Sequence, residues 1–526
     1  MARHLVKGLV DQMAMYIVRR LIAGFFVVLG ASFIVFILVA NAGDPLASAQ
    51  GITDPIARQA RIDYLTTTLN LDVNPVIRYF LWLKGIAGCF VGQCDFGYSI
   101  STNQPVTGDL GTRILITLKL LLAASMLAVV FGASIGIITA LRQYSGFDYT
   151  ITFFTFLFFS LPVFWAAVLL KELVAIQFND FIVAGAHIPW WFIWLATLVV
   201  FLITYSITGG QPLRRGLYAI GAGAVTFGIV YYMSVTQWLL DPGLGPIVIV
   251  VTSIGIALGV AEVSAGLSNR KALYTALTTA GIGIALWYPL QYFFYEDMSF
   301  PRLLLLAVAA IAIGIGVGYL WAGDDRALSA RTGAITAFLI SMVIFIDRTM
   351  QAWSAYTSNT VIRGRPIKTI GDSQSGLEGD FWIQTVDMFT HLLLPTMALI
   401  LISLASYTRY SRASMLEVLN QDYIRTARAK GLTERTVIMR HAFRNALIPL
   451  ATIVAFDIGQ LLGGAVVTEK VFQWDAMGTL FLRGLQNSDP NPVMAFFLIV
   501  AIVAVVFNII ADLLYAALDP RIRVGQ

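Results

Sequence analysis

The sequence predicts an all-α protein that crosses a lipid bilayer many times. Hydrophobic residues make up 58% of the 526 residues and charged residues only 12%, whereas charged residues make up roughly 25% of a soluble domain. Apolar runs of about 20 residues, which can cross a hydrocarbon core of about 30 Å as a helix, recur along the whole chain. Together these two observations exclude a water-soluble fold.

About twelve of these runs have the length of a membrane-spanning helix. The first run carries Arg19 and Arg20 and lacks a small-residue cleavage site, which indicates a retained helix and not a signal peptide. The predicted spans are Tyr16–Ala40, Thr112–Leu141, Tyr149–Val174, Ile188–Ile207, Leu217–Leu239, Gly245–Leu267, Ala272–Phe294, Leu303–Trp321, Gly333–Gln351, Thr390–Tyr410, Ala442–Val467 and Val493–Leu518.

The charges of the loops predict the orientation, because short cytoplasmic loops are rich in Lys and Arg. If the N-terminus is cytoplasmic, alternate loops should be basic, and they are. The inside segments carry Arg3, Lys7, Arg19, Arg20, Arg142, Arg214, Arg215, Arg270, Lys271, Arg326, Arg331, the stretch Arg409–Arg444, Arg521 and Arg523. The outside segments carry Asp241, Glu296, Asp297 and two long polar loops, residues 41–111 and 352–389. This pattern predicts that both termini are cytoplasmic, and it accounts for the net charge of +5 without a nucleic-acid partner.

Both cysteines, Cys89 and Cys94, lie in the first outside loop. A disulfide is favoured over two free thiols there, because that side of the membrane is oxidising. The histidines, in contrast, are scattered along the chain, so no zinc-binding constellation and no metal site is predicted. They are His4, His187, His391 and His441.

The predicted inside loop at residues 417–450 has a clear local pattern. Asp422 is suited to cap a short helix over Tyr423–Lys430. Gly431 is suited to the left-handed conformation that ends such a helix. Thr433 can cap the next helix, and Glu434 is favourable near its positive end. The pattern predicts a short basic helix held between two turns outside the membrane.

The side chains of this short helix suit a docking surface. Small residues let another surface approach closely, and the basic residues suit an acidic groove in the helix-in-groove mode of binding. The small residues are Thr426, Ala427 and Ala429, and the basic ones are Arg425, Arg428 and Lys430. The alternative, a basic segment that binds anionic lipid, needs neither the caps nor the glycine stop.

The same segment resembles the coupling loop of the membrane subunits of bacterial binding-protein-dependent ABC importers, in the oligopeptide/dipeptide/nickel branch. DYIRTARAKGL followed by HAFRNALIPL is similar to that branch's loop, in which a short helix inserts into the ATPase subunit. The general motif begins Glu-Ala-Ala and has Gly four residues after the second Ala. Arg425, Thr426 and Ala427 stand in those places, with Gly431 in register, and this variant is usual for the branch.

Other segments resemble the same branch over residues 15 to about 180 and 385 to 525. They are YIVRRLIAGFFVVLG near the start, Gly43-Asp44-Pro45, DFGYS (Asp95–Ser99), SLPVFW (Ser160–Trp165), GGAVVTEKVFQWDAMGTLF (Gly463–Phe481) and DLLYAALDPRIR (Asp512–Arg523). The resemblance implies a six-span permease core. About six further spans are inserted after the third, and this even number keeps the coupling loop on the cytoplasmic side.

Four domains are therefore expected. They are the N-terminal half of the core (1–187), the inserted block (188–351), an extracytoplasmic loop (352–389), and the C-terminal half of the core (390–526) with the coupling loop at 411–441. Glu262, Asp347 and Arg348 lie near the ends of their inserted spans, where snorkelling explains them. The inserted block is therefore interpreted as a peripheral scaffold or docking surface and not a second substrate path.

Lys119 and Asp457 lie deeper in the predicted core. Charged groups inside a membrane line translocation paths or pair with one another, and the sequence leaves both roles open.

The resemblance implies a non-enzymatic permease subunit of an importer in a bacterial or archaeal plasma membrane, with peptides as the expected substrate and nickel chelates or sugars left open. The implied partners are a second homologous permease, two ATP-binding subunits and an extracytoplasmic substrate-binding protein. No G-x-x-x-x-G-K-[ST] phosphate loop occurs in the sequence, so ATP and Mg²⁺ are expected on the partner subunits. The alternatives are an ion-gradient-driven secondary transporter, which would show repeated halves and charged midplane helices, and a membrane enzyme, which would need converging catalytic groups.

Overall fold

A computed structural model describes residues 2–295, 298–323 and 325–518. Within these ranges it leaves undescribed the side chains of 2–14, 16, 48, 440, 455–456, 458–462, 464 and 514–518. Among the predicted loop charges, Glu296, Asp297, Arg521 and Arg523 lie outside the described residues. The described chain consists of helices and loops, so the predicted all-α, polytopic membrane fold is confirmed.

The helices follow one another in three groups. The first group is α1 (Ala2–Ala42), α2 (Ala47–Gln50), α3 (Pro55–Leu69), α4 (Pro75–Ala87), α5 (Val106–Leu141), α6 (Gly146–Ser160), α7 (Val163–Leu169) and α8 (Gln177–Val183). The second group is α9 (Trp190–Ile207), α10 (Pro212–Val235), α11 (Gly245–Ser264), α12 (Arg270–Tyr295), α13 (Phe300–Leu320), α14 (Arg326–Gln351) and α15 (Trp353–Thr357). The third group is α16 (Phe381–Leu419), α17 (Asp422–Ala429), α18 (Glu434–Thr436), α19 (Phe443–Val471), α20 (Met477–Gln486) and α21 (Pro490–Leu518).

Eleven helices in the described ranges are long and apolar enough to cross a membrane, and the number rises to twelve if α6 and α7–α8 form one broken span. Each predicted span except Tyr149–Val174 has a helix of its own, and the helices extend beyond several predicted ends. α16 is the clearest case: the span was predicted at Thr390–Tyr410, but the helix has 39 residues. About 20 residues suffice to cross the bilayer, so polar turns extend α16 past the apolar stretch from which the span was predicted.

The predicted continuous span Tyr149–Val174 is wrong, because the chain bends by 105° between α6 and α7. Leu161 has an extended backbone (ψ 124°) and Pro162 follows it. A residue before proline is disfavoured in the helical region, and proline has no N–H to continue the helical hydrogen bonds. The break therefore follows from the SLPVFW sequence itself.

The chain divides into two compact units. Unit 1 contains the described residues up to Glu172, Thr369–Asp372 and those from Leu392 onward. Its largest core cluster includes Phe36 of α1, Tyr79 and Trp82 of α4, Met477 of α20 and Phe496 of α21. Close packing of apolar side chains thus joins the first and last helices of unit 1.

Unit 2 contains Leu173–Lys368 and Ser373–His391. It begins before the expected inserted block and includes most of the loop that follows the block. The division into permease core and insertion stays a prediction. α13 and α14 lie so close together that a Cβ at Gly314 would overlap the carbonyl oxygen of Gly333. α9 and α10 form a hairpin in which Gly223 faces Thr197 of α9. Small residues allow such close approach of membrane helices.

A buried aspartate and a buried arginine at the end of α14 join segments of unit 2. Asp347, expected near the end of its span, is fully buried and accepts hydrogen bonds from Leu244 N (2.8 Å) and from Trp287 Nε1 (2.8 Å). Arg348 is also buried and lies over the Trp382 ring at 5.4 Å. Snorkelling was the wrong explanation for these two side chains, because both are buried against other segments of unit 2.

Candidate coupling site

α17 begins at Asp422, one residue earlier than predicted. Gln421 is the N-cap residue, with an extended backbone, and its carbonyl accepts from Ile424 N at 3.0 Å and Arg425 N at 3.3 Å. The prediction that Asp422 caps the helix is therefore wrong. Its carboxylate lies in the first turn, where a negative charge is still favourable, and 3.6 Å from Arg425 Nη1.

The other end of α17 has the predicted glycine geometry. Gly431 follows the C-cap residue Lys430 and has φ +75°. Its N–H donates to Arg428 O at 2.9 Å. A side chain at Gly431 would meet no atom within 4 Å, so the requirement for glycine comes from the left-handed backbone and not from space. The glycine redirects the chain toward α18, which Thr433 caps by accepting from Thr436 N at 3.4 Å.

One face of α17 packs on its own chain. Ile424 and Ala427 are buried, at 0% and 7% exposure, and they are three residues apart, which places them on one side of a helix. Their cluster draws on the ends of three longer helices, with Ile137 and Ala140 from α5, Met415 from α16, Ala446 from α19, and Val437 and Ala442 just before α19. The prediction that Ala427 lets a partner approach is therefore wrong, because it anchors α17.

The opposite face of α17 is exposed. Four residues spaced i, i+3, i+4 and i+7 line it, and this spacing is that of one helical stripe. They are Asp422, Arg425, Thr426 and Ala429, and all are exposed. We call these four residues the outward face. Two of the three small residues singled out from the sequence thus lie on a surface that another molecule can approach.

The three basic side chains of α17 differ in their surroundings. Arg428 forms a two-point ion pair with Glu434, with Nε 3.1 Å from Oε2 and Nη2 2.6 Å from Oε1. Lys430 is exposed at the end of the helix. Arg425 lies on the outward face and its side chain is 71% exposed. Arg425 is therefore the guanidinium best placed to meet an acidic partner group.

Further hydrogen bonds join this end of unit 1. Asn445 Nδ2 of α19 donates to Tyr423 Oη of α17 at 2.8 Å, and Ser414 Oγ of α16 donates to Ala446 O of α19 at 2.9 Å. α17 is thus attached to the long helices by apolar packing and by a polar contact. α17 therefore contacts several long helices at once.

α5 and α16 cross at very short distance beside this site. A Cβ at Gly132 would overlap Tyr407 Cβ, and one at Gly136 would overlap Thr408 O. These glycines form a Gly-x-x-x-Gly stripe, which allows membrane helices to pack closely. The stripe was not singled out from the sequence, although its spacing is the signal by which it could have been found.

A buried ion pair joins α6 to α16. Asp148, which is 3% exposed, accepts from Arg412 Nε and Nη2, both at 3.0 Å. The two residues are 264 positions apart, so no local pattern could reveal the pair. It fixes the part of α16 around Arg412 next to the first turn of α6.

A buried glutamate of α19 joins α5 to α20 in another part of unit 1. Glu469 accepts from Thr117 Oγ1 of α5 and from Gly478 N of α20, both at 2.6 Å. Arg113 of α5 donates to Asp475 at 3.0 Å. These contacts give a structural reason for the acidic residues in the GGAVVTEKVFQWDAMGTLF segment, which the sequence associated only with the family.

The predicted deep charges do not form a pair. Lys119 is exposed on α5 and Asp457 is half-buried on α19. No ion pair joins them among the described side chains, so the structural-pair alternative has no support. A place in the translocation path stays a prediction for both residues.

The structure joins Cys89 and Cys94 in a disulfide, as their position in the first outside loop predicts. Their Cα atoms are 4.0 Å apart, and the bridge closes the turn that follows α4.

A buried aspartate contacts a later part of the same loop. Asp489 Oδ2 accepts from Ser99 Oγ and from Ile100 N, both at 2.7 Å. This contact holds the end of the 43–105 loop against the turn between α20 and α21.

Residues 334–524 match the family described as binding-protein-dependent transport system inner membrane component. The resemblance to importer permeases is confirmed. The matched region contains α16 to α19, and so all of α17 and two of the three long helices that hold it, whereas α5 lies outside it. An inner-membrane, multi-pass location follows from this match and from the spans.

Named relatives agree with the match. The chain is 39% identical over 199 residues to the oligopeptide transport system permease protein OppB of Mycobacterium tuberculosis (strain ATCC 25618 / H37Rv). It is 48% identical over 137 residues to the oligopeptide permease protein AppB of Bacillus subtilis (strain 168) and 45% over 148 residues to the dipeptide permease protein DppB of Escherichia coli (strain K12).

These alignments are partial. They cover 38%, 26% and 28% of this chain. The chain spans 61%, 43% and 42% of the length of the same three relatives. The similarity therefore concerns part of each protein.

Proposed function

We propose that this chain is a permease subunit of an ATP-driven, binding-protein-dependent importer of peptides, and that it forms half of the translocation pore. The observation that carries the proposal is the geometry of α17 within the family-matched region. One face of this short helix is fixed to α5, α16 and the start of α19, and the outward face is free to bind a partner.

The proposed mechanism follows from that attachment. Closure of two ATPase subunits on ATP moves the bound α17, and the packed cluster around Ile424 transmits the movement to the spans as a rigid body. Thr426 and Ala429 let a groove approach the helix backbone, while Arg425 pairs with an acidic group in that groove. The pore then opens alternately to each side of the membrane.

The proposed partners are a second homologous permease, two ATP-binding subunits that hold ATP and Mg²⁺, and an extracytoplasmic binding protein. In this proposal α17 and both termini are cytoplasmic, as the loop charges predict. This chain lacks a phosphate loop in its sequence, so we assign ATP hydrolysis to the partners and no enzymatic step to this chain. The family match favours an ATP-driven permease over an ion-gradient-driven transporter.

The test is peptide uptake into proteoliposomes that contain the complete complex. Arg425→Glu should lower ATP-driven uptake about tenfold or more, because it places a like charge against an acidic groove, and charge contacts across interfaces contribute strongly to specificity. Arg58→Glu in α3 is the matched control, since Arg58 is also exposed and α3 contributes no residue to the α17 cluster. Uptake at the unmodified level in Arg425→Glu would contradict the proposed coupling role, and uptake driven by an ion gradient without ATP would contradict the function.

A further inference from the structure

Two clefts adjoin at the end of unit 1 opposite α17. They lie between the 43–105 loop, the end of α1 and the start of α21, with volumes of about 200 and 400 Å³. Arg78 of α4 lines both clefts, as do Ala40 and Pro490. We call them the small cleft and the large cleft. The volume of the large cleft lies in the range of small-molecule sites, about 300–1,000 Å³.

Arg78 is a half-buried cation without a counter-ion. No hydrogen bond or ion pair reaches its guanidinium in the described part of the chain, and it stands 5.9 Å from the centre of the Phe36 ring. Burial lowers the pKa of Arg78. Removing a charge from water is unfavourable unless another group pairs with it, so an anion in the cleft would be stabilised at this position.

A second unsatisfied donor belongs to a residue that lines the small cleft. Trp82 is 9% exposed, and its Nε1 is buried without a hydrogen-bond partner. Trp82 follows Arg78 by four residues, which places both side chains on the same side of α4. A buried donor without a partner is unfavourable, and a ligand oxygen would satisfy it. Asp95 also lines this cleft, but its Oδ1 accepts from Gly97 N at 2.8 Å and no ion pair joins it to Arg78.

The rest of the small cleft combines polar side chains, among them Thr68, Asn70 and Tyr98, with apolar ones. Phe36, Leu69 and Leu81 line it beside the two donors. A ligand that carries a carboxylate and an apolar group close together would meet the two donors and these three apolar side chains at once. The C-terminal residue of a peptide has this chemistry, with its carboxylate and its side chain on one carbon.

An acceptor lines the adjoining large cleft. Asp489 is 1% exposed, and its Oδ1 is buried without a hydrogen-bond partner although Oδ2 accepts from the 98–101 segment. A peptide that extends from the small cleft into the large one would bring N–H groups, which are the donors that Asp489 lacks. The two clefts thus offer donors at one end and an acceptor at the other.

We propose that the small cleft binds the C-terminal residue of a short peptide, with its carboxylate accepting hydrogen bonds from Arg78 and Trp82. This site rests on the proposed function as a peptide permease and adds to it a peptide-contacting position outside the pore. The preferred ligand has a free carboxylate and an apolar last side chain.

The test measures binding of Ala-Ala-Leu to the full chain in lipid nanodiscs by calorimetry, without ATP or partner subunits. The C-terminally amidated tripeptide is the matched probe. The free acid should bind about tenfold or more tightly than the amide, because hydrogen bonds to charged groups are the stronger ones. Arg78→Gln should abolish this preference. Trp82→Phe keeps the ring, removes only the N–H, and should weaken binding of the acid severalfold.

Arg58→Gln is the control, because it removes an exposed arginine of the same loop that lines neither cleft. Absence of tripeptide binding, equal binding of acid and amide, or an unchanged preference in Arg78→Gln would each overturn the proposal. If the tripeptide fails to bind while Arg78→Gln weakens docking of the extracytoplasmic binding protein, the anion is an acidic side chain of that partner and the proposal is also overturned. Because no ATP is present, these outcomes are independent of ATP-driven uptake.

Discussion

The contacts of Arg428 in the structure change the role that the sequence predicts for it. The sequence places Arg428 with Arg425 and Lys430 as part of a basic docking surface. In the structure its guanidinium binds Glu434 at two points, and the two side chains are 44% and 56% exposed. We therefore interpret Arg428 as a residue that fixes the turn after α17, while Arg425 meets the partner.

This interpretation predicts different results for a single and a double substitution. Arg428→Glu places two carboxylates together and should lower ATP-driven uptake a few-fold, because like charges at an exposed pair cost about 1 kcal/mol or less. The exchanged variant Arg428→Glu/Glu434→Arg restores an ion pair and should return uptake to within about twofold of the unmodified level. Both are measured in proteoliposomes with the complete complex. A double variant as weak as the single one would show that Arg428 itself contacts a partner.

At the scale of elements, the crossing of α5 and α16 joins two of the long helices that carry the α17 cluster. The Gly132 and Gly136 stripe brings the two backbones together, and the Asp148–Arg412 pair adds α6 to the same contact. Packing of this kind transmits movement because close-packed helices resist compression. The coupling of α17 to the spans therefore depends on the contact between α5 and α16 as well as on α17 itself.

Gly136→Leu should separate α5 from α16. The new side chain would overlap Thr408 O and Ser411 Cβ, and overpacking of this kind costs about 1–3 kcal/mol. We expect a lower thermal unfolding midpoint in detergent and a loss of uptake relative to ATP hydrolysis. Gly111→Leu on the same helix is the matched control, since no atom lies within 4 Å of a Cβ there. Equal midpoints for the two variants would contradict the proposed tight crossing.

For the whole molecule, the sequence predicted what depends on local chemistry. Runs of apolar residues showed where the spans lie, and Gly431 marked the end of α17, because bilayer thickness and a left-handed backbone act on short stretches. The bend at Pro162 had an equally local signal in the sequence, although a continuous span was predicted there.

Contacts between distant segments could not be predicted in this way. Ile424 and Ala427 anchor α17 because α5, α16 and α19 meet beside them. Glu469 accepts a hydrogen bond from Thr117, which is 352 positions away in the sequence. The same holds for Asp347, which appeared to lie near a membrane surface and is buried in unit 2. The role of unit 2 as a scaffold or docking surface stays a prediction.

The central claim is that α17 binds a separate ATPase subunit through its outward face. Cross-linking with a short maleimide reagent in membranes that contain the complete complex tests it directly. Both native cysteines are joined in a disulfide, so an introduced cysteine is the reactive thiol of this chain. We predict that Ala429→Cys, on the outward face, cross-links to the ATPase subunit, whereas Ala427→Cys, on the buried face two residues away, does not. Cross-linking of Ala427→Cys in preference to Ala429→Cys, or no cross-link from either, would contradict the account.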